Sequence, residues 1–373
     1  MIQIKKVDTA KQLAAFIDFP HELYKGDENY VPELHIAQRD ILTPGKHPFH
    51  NHSSMQLFLA YEGTVIKGRI AAILNNNHNE FKKVMDGFFG FYDLYNEPET
   101  STLLLDAAEA WLISKGATKM IGPVNPSTNE TAGLLVEGYD SPAVAMMTYN
   151  KPYYLNLLTT YGFVKNMDLL AYDLPTSDVD KRTLRLRDAL SQRFKDRNIT
   201  IRNINLKDFK NETEKILKVY NAAWEDNSGF VPMTDDEFKY LAKDLKMVLD
   251  KDFALIAEHN GEVIGFALAI PDINQVLLKI KRGRLLPTGI FKLLLGKKHI
   301  NYVRVLALGV NKEYRKAGIE AFFYAEIIQK AIDKKLKGGE ASWILENNEM
   351  MNKGLLKMNA KVYKRYRILE KAL

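Results

Sequence analysis

Hydrophobic positions along this chain follow two spacings in alternation, and the alternation runs through twice. In the first half, residues 1–7 have a strand-like pattern and 11–18 a helical one. A loop-like stretch with Pro32, Pro44, Gly45 and Pro48 follows. The apolar runs 57–61 and 65–74 flank Glu62-Gly63-Thr64 and predict a hairpin. Residues 86–95, rich in Phe and Tyr, predict a third strand. Over 100–115, Leu103, Leu104, Ala107, Ala108, Trp111 and Leu112 form one helical stripe, which Gly116 is placed to end. A short strand is expected at 118–121, and a helix beginning near Pro152.

The second half repeats this order. A charged amphipathic stretch over 180–197 links the halves or opens the second. A strand at 199–204 and helices near 213–224 and 235–249 come next. Then Asn260-Gly261 joins two apolar runs, a strong hairpin signal. Strands at 304–310 and 341–345 flank a long helix over 319–336. A last helix starts near Asn348, and a strand over 361–369 closes the chain. Each half carries one insert, 122–149 in the first and 271–300 in the second. The order of elements predicts two tandem domains of mixed α/β (α+β) sheet structure, over 1–178 and 179–373.

Composition narrows the class. With 46% hydrophobic and 26% charged residues, the chain is ordinary globular protein, not a disordered or fibrous one. It has no cysteine, which excludes disulfides, thiolate metal sites and a cysteine nucleophile. No run approaches the about 18 apolar residues of a membrane span. The N-terminus lacks a basic-then-apolar leader, so a cytoplasmic protein is expected. Charge is uneven: residues 1–175 hold 14 Lys/Arg against 20 Asp/Glu, and the remainder 38 against 26. A basic second half favours an anionic partner. No zinc-finger, helix-turn-helix or RNA-binding signature accompanies it, so sequence-specific nucleic-acid binding is not expected.

The strand Val305-Leu306-Ala307-Leu308-Gly309-Val310 runs into Asn311-Lys312-Glu313-Tyr314 and then Arg315-Lys316-Ala317-Gly318-Ile319-Glu320 at a helix start. Backbone N–H groups at a helix N-terminus suit a pyrophosphate, and Gly318 permits close approach. This segment resembles the acyl-CoA-binding segment of the GNAT acyltransferase superfamily, Gln/Arg-x-x-Gly-x-Gly/Ala, with Glu320 standing where a small residue is usual. The resemblance implies that Leu308, Val310, Arg315, Lys316, Ala317, Gly318, Ile319 and Asn348 contact acyl-CoA or acetyl-CoA as co-substrate. It also places Leu355 where the family often has a tyrosine acid. In the first half, Tyr161-Gly162-Phe163 matches the family's Gly-Phe ending. The corresponding loop, Asn96-Glu97-Pro98-Glu99-Thr100, is acidic, so no standard CoA site is expected there.

A longer resemblance covers nearly the whole chain. Gly122-Pro123-Val124-Asn125-Pro126-Ser127-Thr128-Asn129-Glu130, with Arg69-Ile70-Ala71-Ala72, Met146-Met147-Thr148-Tyr149-Asn150, Trp343-Ile344-Leu345-Glu346-Asn347 and Lys364-Arg365-Tyr366-Arg367, is similar to the bacterial ceramide synthase-like branch of the superfamily. That implies acyl transfer from a thioester to the amine of a long-chain base, a small-molecule or lipid acceptor. A non-catalytic ligand-binding protein on the same fold is the rival reading.

Asn125, Ser127, Asn129 and Tyr149 become candidate acceptor-binding residues; for Asn125 to Glu130 the alternative is a capped turn, with Asn129 opening a helix. Amine acylation needs a base. The candidates are Glu346 at a strand end, His78 in an Asn-rich loop, and Glu137. His47, His50 and His52 lie close together in a Pro-rich loop, and no metal is expected. Residues 276–299 interleave Lys and Arg with Leu, Ile and Phe and contain no acid. That composition suits peripheral contact with an anionic membrane at its inner face, a lid over an amphiphilic acceptor, or an insert packed on the second domain.

Overall fold

A computed structural model describes residues 1–224 and 230–373. In chain order the elements are β1 (Ile2–Lys6), α1 (Ala10–Leu23), α2 (His35–Ile41), β2 (Ser54–Glu62), β3 (Val65–Leu74), α3 (Asn76–Lys82), β4 (Asp86–Leu94), α4 (Pro98–Ser114) and β5 (Lys119–Gly122). Then come β6 (Val124–Asn125), β7 (Thr131–Ala132), β8 (Leu134–Glu137), α5 (Tyr154–Thr160), β9 (Val164–Pro175), α6 (Lys181–Lys195), β10 (Ile199–Asn203), α7 (Phe209–Trp224) and α8 (Asp235–Val248). The rest are β11 (Ala254–His259), β12 (Glu262–Pro271), α9 (Asn274–Leu277), α10 (Gly289–Gly296), β13 (Tyr302–Val310), α11 (Ile319–Asp333), β14 (Gly338–Leu345), α12 (Glu349–Lys357) and β15 (Lys361–Ala372).

Two compact units emerge, and neither is one stretch of chain. Unit one holds Met1–Leu169, Asn274–Lys297 and Lys364–Leu373. Unit two holds Leu170–Ile273 and Lys298–Tyr363. The basic insert therefore counts with unit one, although its place in the sequence assigns it to the second half. The last strand of the chain completes unit one, and the later part of β9 completes unit two.

In unit one β1, β2, β3 and β4 are successive antiparallel neighbours, and β5 runs parallel to β4. β15 then pairs antiparallel with β5, Leu369 facing Gly122, and with β8, Arg367 facing Leu134. Strand residues Phe58, Ile70, Phe89 and Leu94 pack against Leu104, Leu105, Ala108 and Leu112 of α4. Of the expected stripe, Leu104, Ala108 and Leu112 are buried, while Leu103, Ala107 and Trp111 are only partly so; Leu105, outside the stripe, completes the inner face of α4, which starts with proline at its first position and stops at Gly116, φ +83°. Thr9 and Gln12 form a capping box on α1. The loop-like stretch holds more helix than its prolines suggest: α2 begins at His35.

In unit two β10 to β13 are antiparallel neighbours and β14 is parallel to β13, with β9 beside β14. The hairpin turn has Asn260 at φ +51° and Gly261 at φ +83°, both left-handed. Leu255, Val303, Val305 and Ile344 from the strands meet Phe323, Ile327 and Leu355 from the helices. α6 joins this core through Leu190 and Phe194, the latter 5.3 Å from the Phe322 ring. It is therefore an integral helix of unit two. Among the described residues, no helix is long and apolar enough to cross a membrane.

Candidate functional site

The central strands of unit two part company. β13 pairs with β14 from Tyr302 to Val305, opposite Gly338 to Ala341. Beyond that point β13 runs on to Val310 and β14 to Leu345. The cause is a bulge. On β12, Leu268 faces Ala307 but the next residue, Ala269, faces Val305, so Leu306 is the extra residue. A bulge bends its strand and raises local twist. The result is a wedge in which the outer half of β13 has no described β14 partner. Backbone groups at such an edge are free to hydrogen-bond a bound carbonyl or amide.

At the root of the wedge lies a buried polar network that no sequence motif marks. Arg304 and Glu340 face each other across the pair, both with almost no exposure. Arg304 Nε donates to Ser342 Oγ (2.9 Å), and its guanidinium lies 5.2 Å from the Trp343 ring. Glu340 also accepts from the Ser342 and Tyr363 hydroxyls. The network fixes the point at which the strands diverge.

Past Val310 a tight turn, Lys312–Ala317, leads to Gly318 at φ +89° and then α11. Gly318 is required by its left-handed angle; a Cβ there would also press on the Leu190 Cδ2 methyl at 2.9 Å, which that side chain could yield to. Ala317 and Ile319 are core residues, so any ligand contact from them is through the backbone. Arg315 donates to the Ala223 carbonyl (2.8 Å), while Lys316 is exposed. Glu320 turns back on its own backbone N–H, and burial raises its carboxyl above the usual range against the pull of Arg315. The first turn of α11 is thus partly capped from within.

Glu346 follows β14 directly and is half-buried. Asn352 Nδ2 donates to the Leu345 and Glu346 carbonyls (3.0 and 3.2 Å), and Tyr172 donates to Asn352 Oδ1 (2.8 Å). This bracket holds the strand end that carries Glu346. Asn348 accepts from Met351 N–H (3.2 Å) and caps α12. Leu355 is buried in the core.

Unit one starts the same wedge and then closes it. β4 pairs with β5 only from Asp86 to Phe88. A register shift on β4 leaves Phe91 at φ +48°. Here β6 enters: Asn125 Oδ1 accepts the Phe91 N–H at 2.6 Å, and Nδ2 donates to Thr131 Oγ1 (3.4 Å). The approach is so close that a Cβ on Gly90 would lie 1.9 Å from the Val124 carbonyl oxygen. The chain's own backbone occupies the place that no described strand fills in unit two. At the start of α4, Glu97 accepts from Thr100 Oγ1 (2.9 Å) and pairs with Lys67.

The remaining candidates in unit one fall apart from one another. Ser127 is buried and accepts from Asn129 N–H (3.2 Å) in a turn that leads to β7; no helix follows, so Asn129 is not a helix cap. His78 does not sit in a polar loop. It lies in the first turn of α3, buried edge-on against Phe88, with Nε2 3.1 Å from Asp86 Oδ2. Glu137 is exposed and pairs with Arg365 (3.1 Å). Tyr149 donates to both Asp27 oxygens at 3.1 Å. His47 Nδ1 accepts from Phe49 N–H, His50 Nε2 meets the Ile41 carbonyl, and His52 Nδ1 lies 2.6 Å from Ser53 Oγ. Among the described residues no group of His, Asp and Glu is arranged to hold a metal ion.

Unit one also holds a polar centre absent from the sequence reading. Arg69, buried on β3, donates through Nε and Nη2 to Asp93 (2.8 and 2.7 Å) and through Nη1 to the Phe16 carbonyl. Tyr24 donates to the other Asp93 oxygen (3.0 Å), and Tyr154 accepts the Leu94 N–H. Burial drives both phenols well above their ordinary range, so they stay protonated. Glu33 is reachable by water, yet burial raises its carboxyl, with Arg69 opposing and Asp93 adding to the shift. These partners come from α1, β3, β4 and α5, too far apart in sequence for spacing to reveal them.

No family model matches the chain. Protein YghO of Escherichia coli (strain K12) is 35% identical over 369 residues, 97% of this chain and 93% of that protein. The bacterial ceramide synthase of Caulobacter vibrioides is 32% identical over all of this chain and 98% of its own length. Among solved structures, a tandem GNAT protein from the clavulanic acid biosynthesis pathway has a TM-score of 0.58 at 9% identity, over all of this chain and 98% of the other. That last likeness speaks for the fold.

Proposed function

The chain belongs to the family of tandem GNAT-fold acyltransferases that includes the bacterial ceramide synthase, and from that premise we propose that it transfers an acyl group from a thioester to a long-chain amine. The observation that carries the reading is the open wedge between β13 and β14, beside the Gly318 turn. The residues fit a thioester co-substrate such as acyl-CoA. The edge of β13 around Leu308 and Val310 is suited to the amide-bearing arm. Lys316 and the backbone at Gly318 and Ile319 are suited to the phosphates. Glu320 and the Arg315–Ala223 bond work against the phosphates, so Glu320 must turn outward for that end to seat fully.

Within this reading the protein's residues divide the work. Backbone N–H groups of β13 donate to the thioester carbonyl oxygen as negative charge develops there. Glu346 accepts a proton from the ammonium, which frees the amine lone pair for attack. With Leu355 at the usual tyrosine position, the departing sulfur takes its proton from water or from the acceptor's own nitrogen. The acceptor is a long-chain, sphingoid-type base; the family relation to the ceramide synthase supports this choice.

The test is mass spectrometry of the purified protein with long-chain acyl-CoA or acetyl-CoA and a panel of amines, beside calorimetry with the same thioesters. An N-acyl product formed only with long-chain amines is expected. A folded protein that binds no thioester would sink the reading. Saturable thioester binding without product from any amine would favour a non-catalytic binding protein, the reading that Leu355 and the self-capped Glu320 support.

A further inference from the structure

The strongest unexplained surface is the basic insert, and we propose that its outer face docks on an anionic lipid bilayer. Its inner face is consumed by packing on unit one. Val276, Leu277 and Ile280 are buried, and Asn274 donates to the Ala143 carbonyl (2.8 Å). One glycine makes that contact close, and two more fold the insert tightly on itself. A Cβ on Gly283 would lie 1.7 Å from the Glu33 carbonyl oxygen, one on Gly289 2.4 Å from the Arg284 carbonyl oxygen, and one on Gly296 2.7 Å from Val276. Two arginines are also used inward: Arg282 pairs with Glu22, and Arg284 with Asp18 at 2.9 Å.

The outer face is mostly unused, although Lys292 Nζ donates to the Lys279 carbonyl (2.8 Å). Leu286 is 80% exposed, Phe291 64%, Leu294 58% and Leu295 67%. The last three form one side of α10, at i, i+3 and i+4. Exposed Lys279, Lys281 and Lys292 lie among them in sequence, and residues 276–297 contain no acid. Large apolar side chains held outward among lysines, on a backbone anchored from behind, have the makeup of an interfacial segment. Charge selects the occupant. Acidic headgroups complement the lysines, whereas a second copy would set lysine against lysine.

This surface stands or falls without the acyl-transfer reading, because its test involves no turnover. The full chain is floated with phosphatidylglycerol-containing vesicles and with pure phosphatidylcholine vesicles, at low and high salt. Binding to the anionic vesicles only, weakened by salt, is expected. Phe291→Ser with Leu295→Ser should lower partitioning by about tenfold or more, and Lys281→Gln or Lys292→Gln by roughly fivefold each at low salt. The positions are solvent-exposed, and circular dichroism checks that the variants fold. Failure of the wild-type protein to bind, or equal binding by the Phe291/Leu295 variant, overturns the proposal. A concentration-dependent dimer lost in that variant, without vesicle binding, overturns it too and gives the face to a second copy.

Discussion

Replacing Asn125 by alanine separates two roles that the sequence leaves open for it. In the structure its Oδ1 accepts the Phe91 N–H at 2.6 Å, with Phe91 and Val124 both buried. Alanine leaves that donor unpaired, at a cost of about 1–3 kcal/mol. Part of the plug's packing is lost as well, so the total should come to roughly 2–3 kcal/mol. For a unit of this size, each kcal/mol moves the melting temperature by about 2–4 °C. Calorimetric melting of Asn125→Ala should therefore fall by about 5–10 °C in the unit-one transition. Asn125→Asp keeps an acceptor and should lose much less. Gly90→Ala should lose more than either, because its Cβ collides with the Val124 carbonyl. Thioester affinity, measured on the same samples, should stay within about twofold of the wild type, because the open wedge is in unit two; a change that small is under about 0.5 kcal/mol. An unchanged melting temperature together with lost acyl transfer would refute this reasoning and return Asn125 to acceptor binding.

Glu346→Gln should lower turnover by about 10²–10⁴-fold and leave thioester affinity intact; full activity in a mass-spectrometric assay would remove Glu346 as the base. Asp93→Ala strands a buried guanidinium and should cost about 3–5 kcal/mol in urea unfolding, whereas Arg69→Met with Asp93→Leu should cost less than that single change. If the two cost the same, the Arg69–Asp93 pair is not the source of the loss. Burial lowers His21 to about 4. It stays neutral in the folded protein while its unfolded counterpart takes up a proton below about 6.5. Stability should therefore fall as pH drops from about 6.5 towards 4, and His21→Gln should flatten that slope in melts taken across the range; an identical slope in the variant would exclude His21 as its source.

Local chemistry was legible wherever neighbours in sequence decide it. Asn260-Gly261 marked its hairpin because few other pairs accept two left-handed residues in succession. Gly318 announced its turn for a related reason, and the stripe from Leu103 to Leu112 announced α4 with its inner face turned slightly, since Leu105 is buried and Leu103 is not. His78 misled because a run of asparagines reads as loop; Asn75 instead caps a short helix that buries the ring against Phe88. The Arg69–Asp93 centre stayed hidden because its partners come from separate elements.

The chain's order of strands, helices and hairpins determined the tandem plan by itself, because hydrophobic periodicity and turn residues act within a few positions of each other. Only the tertiary structure decided which strand completes which unit, because β15 and β9 carry no mark of the sheet that takes them. It alone decided that, among the described residues, β14 leaves the outer half of β13 unpaired while β6 reaches β4. Both strands bulge, and what distinguishes them is whether another segment, brought in by folding, reaches the unpaired edge.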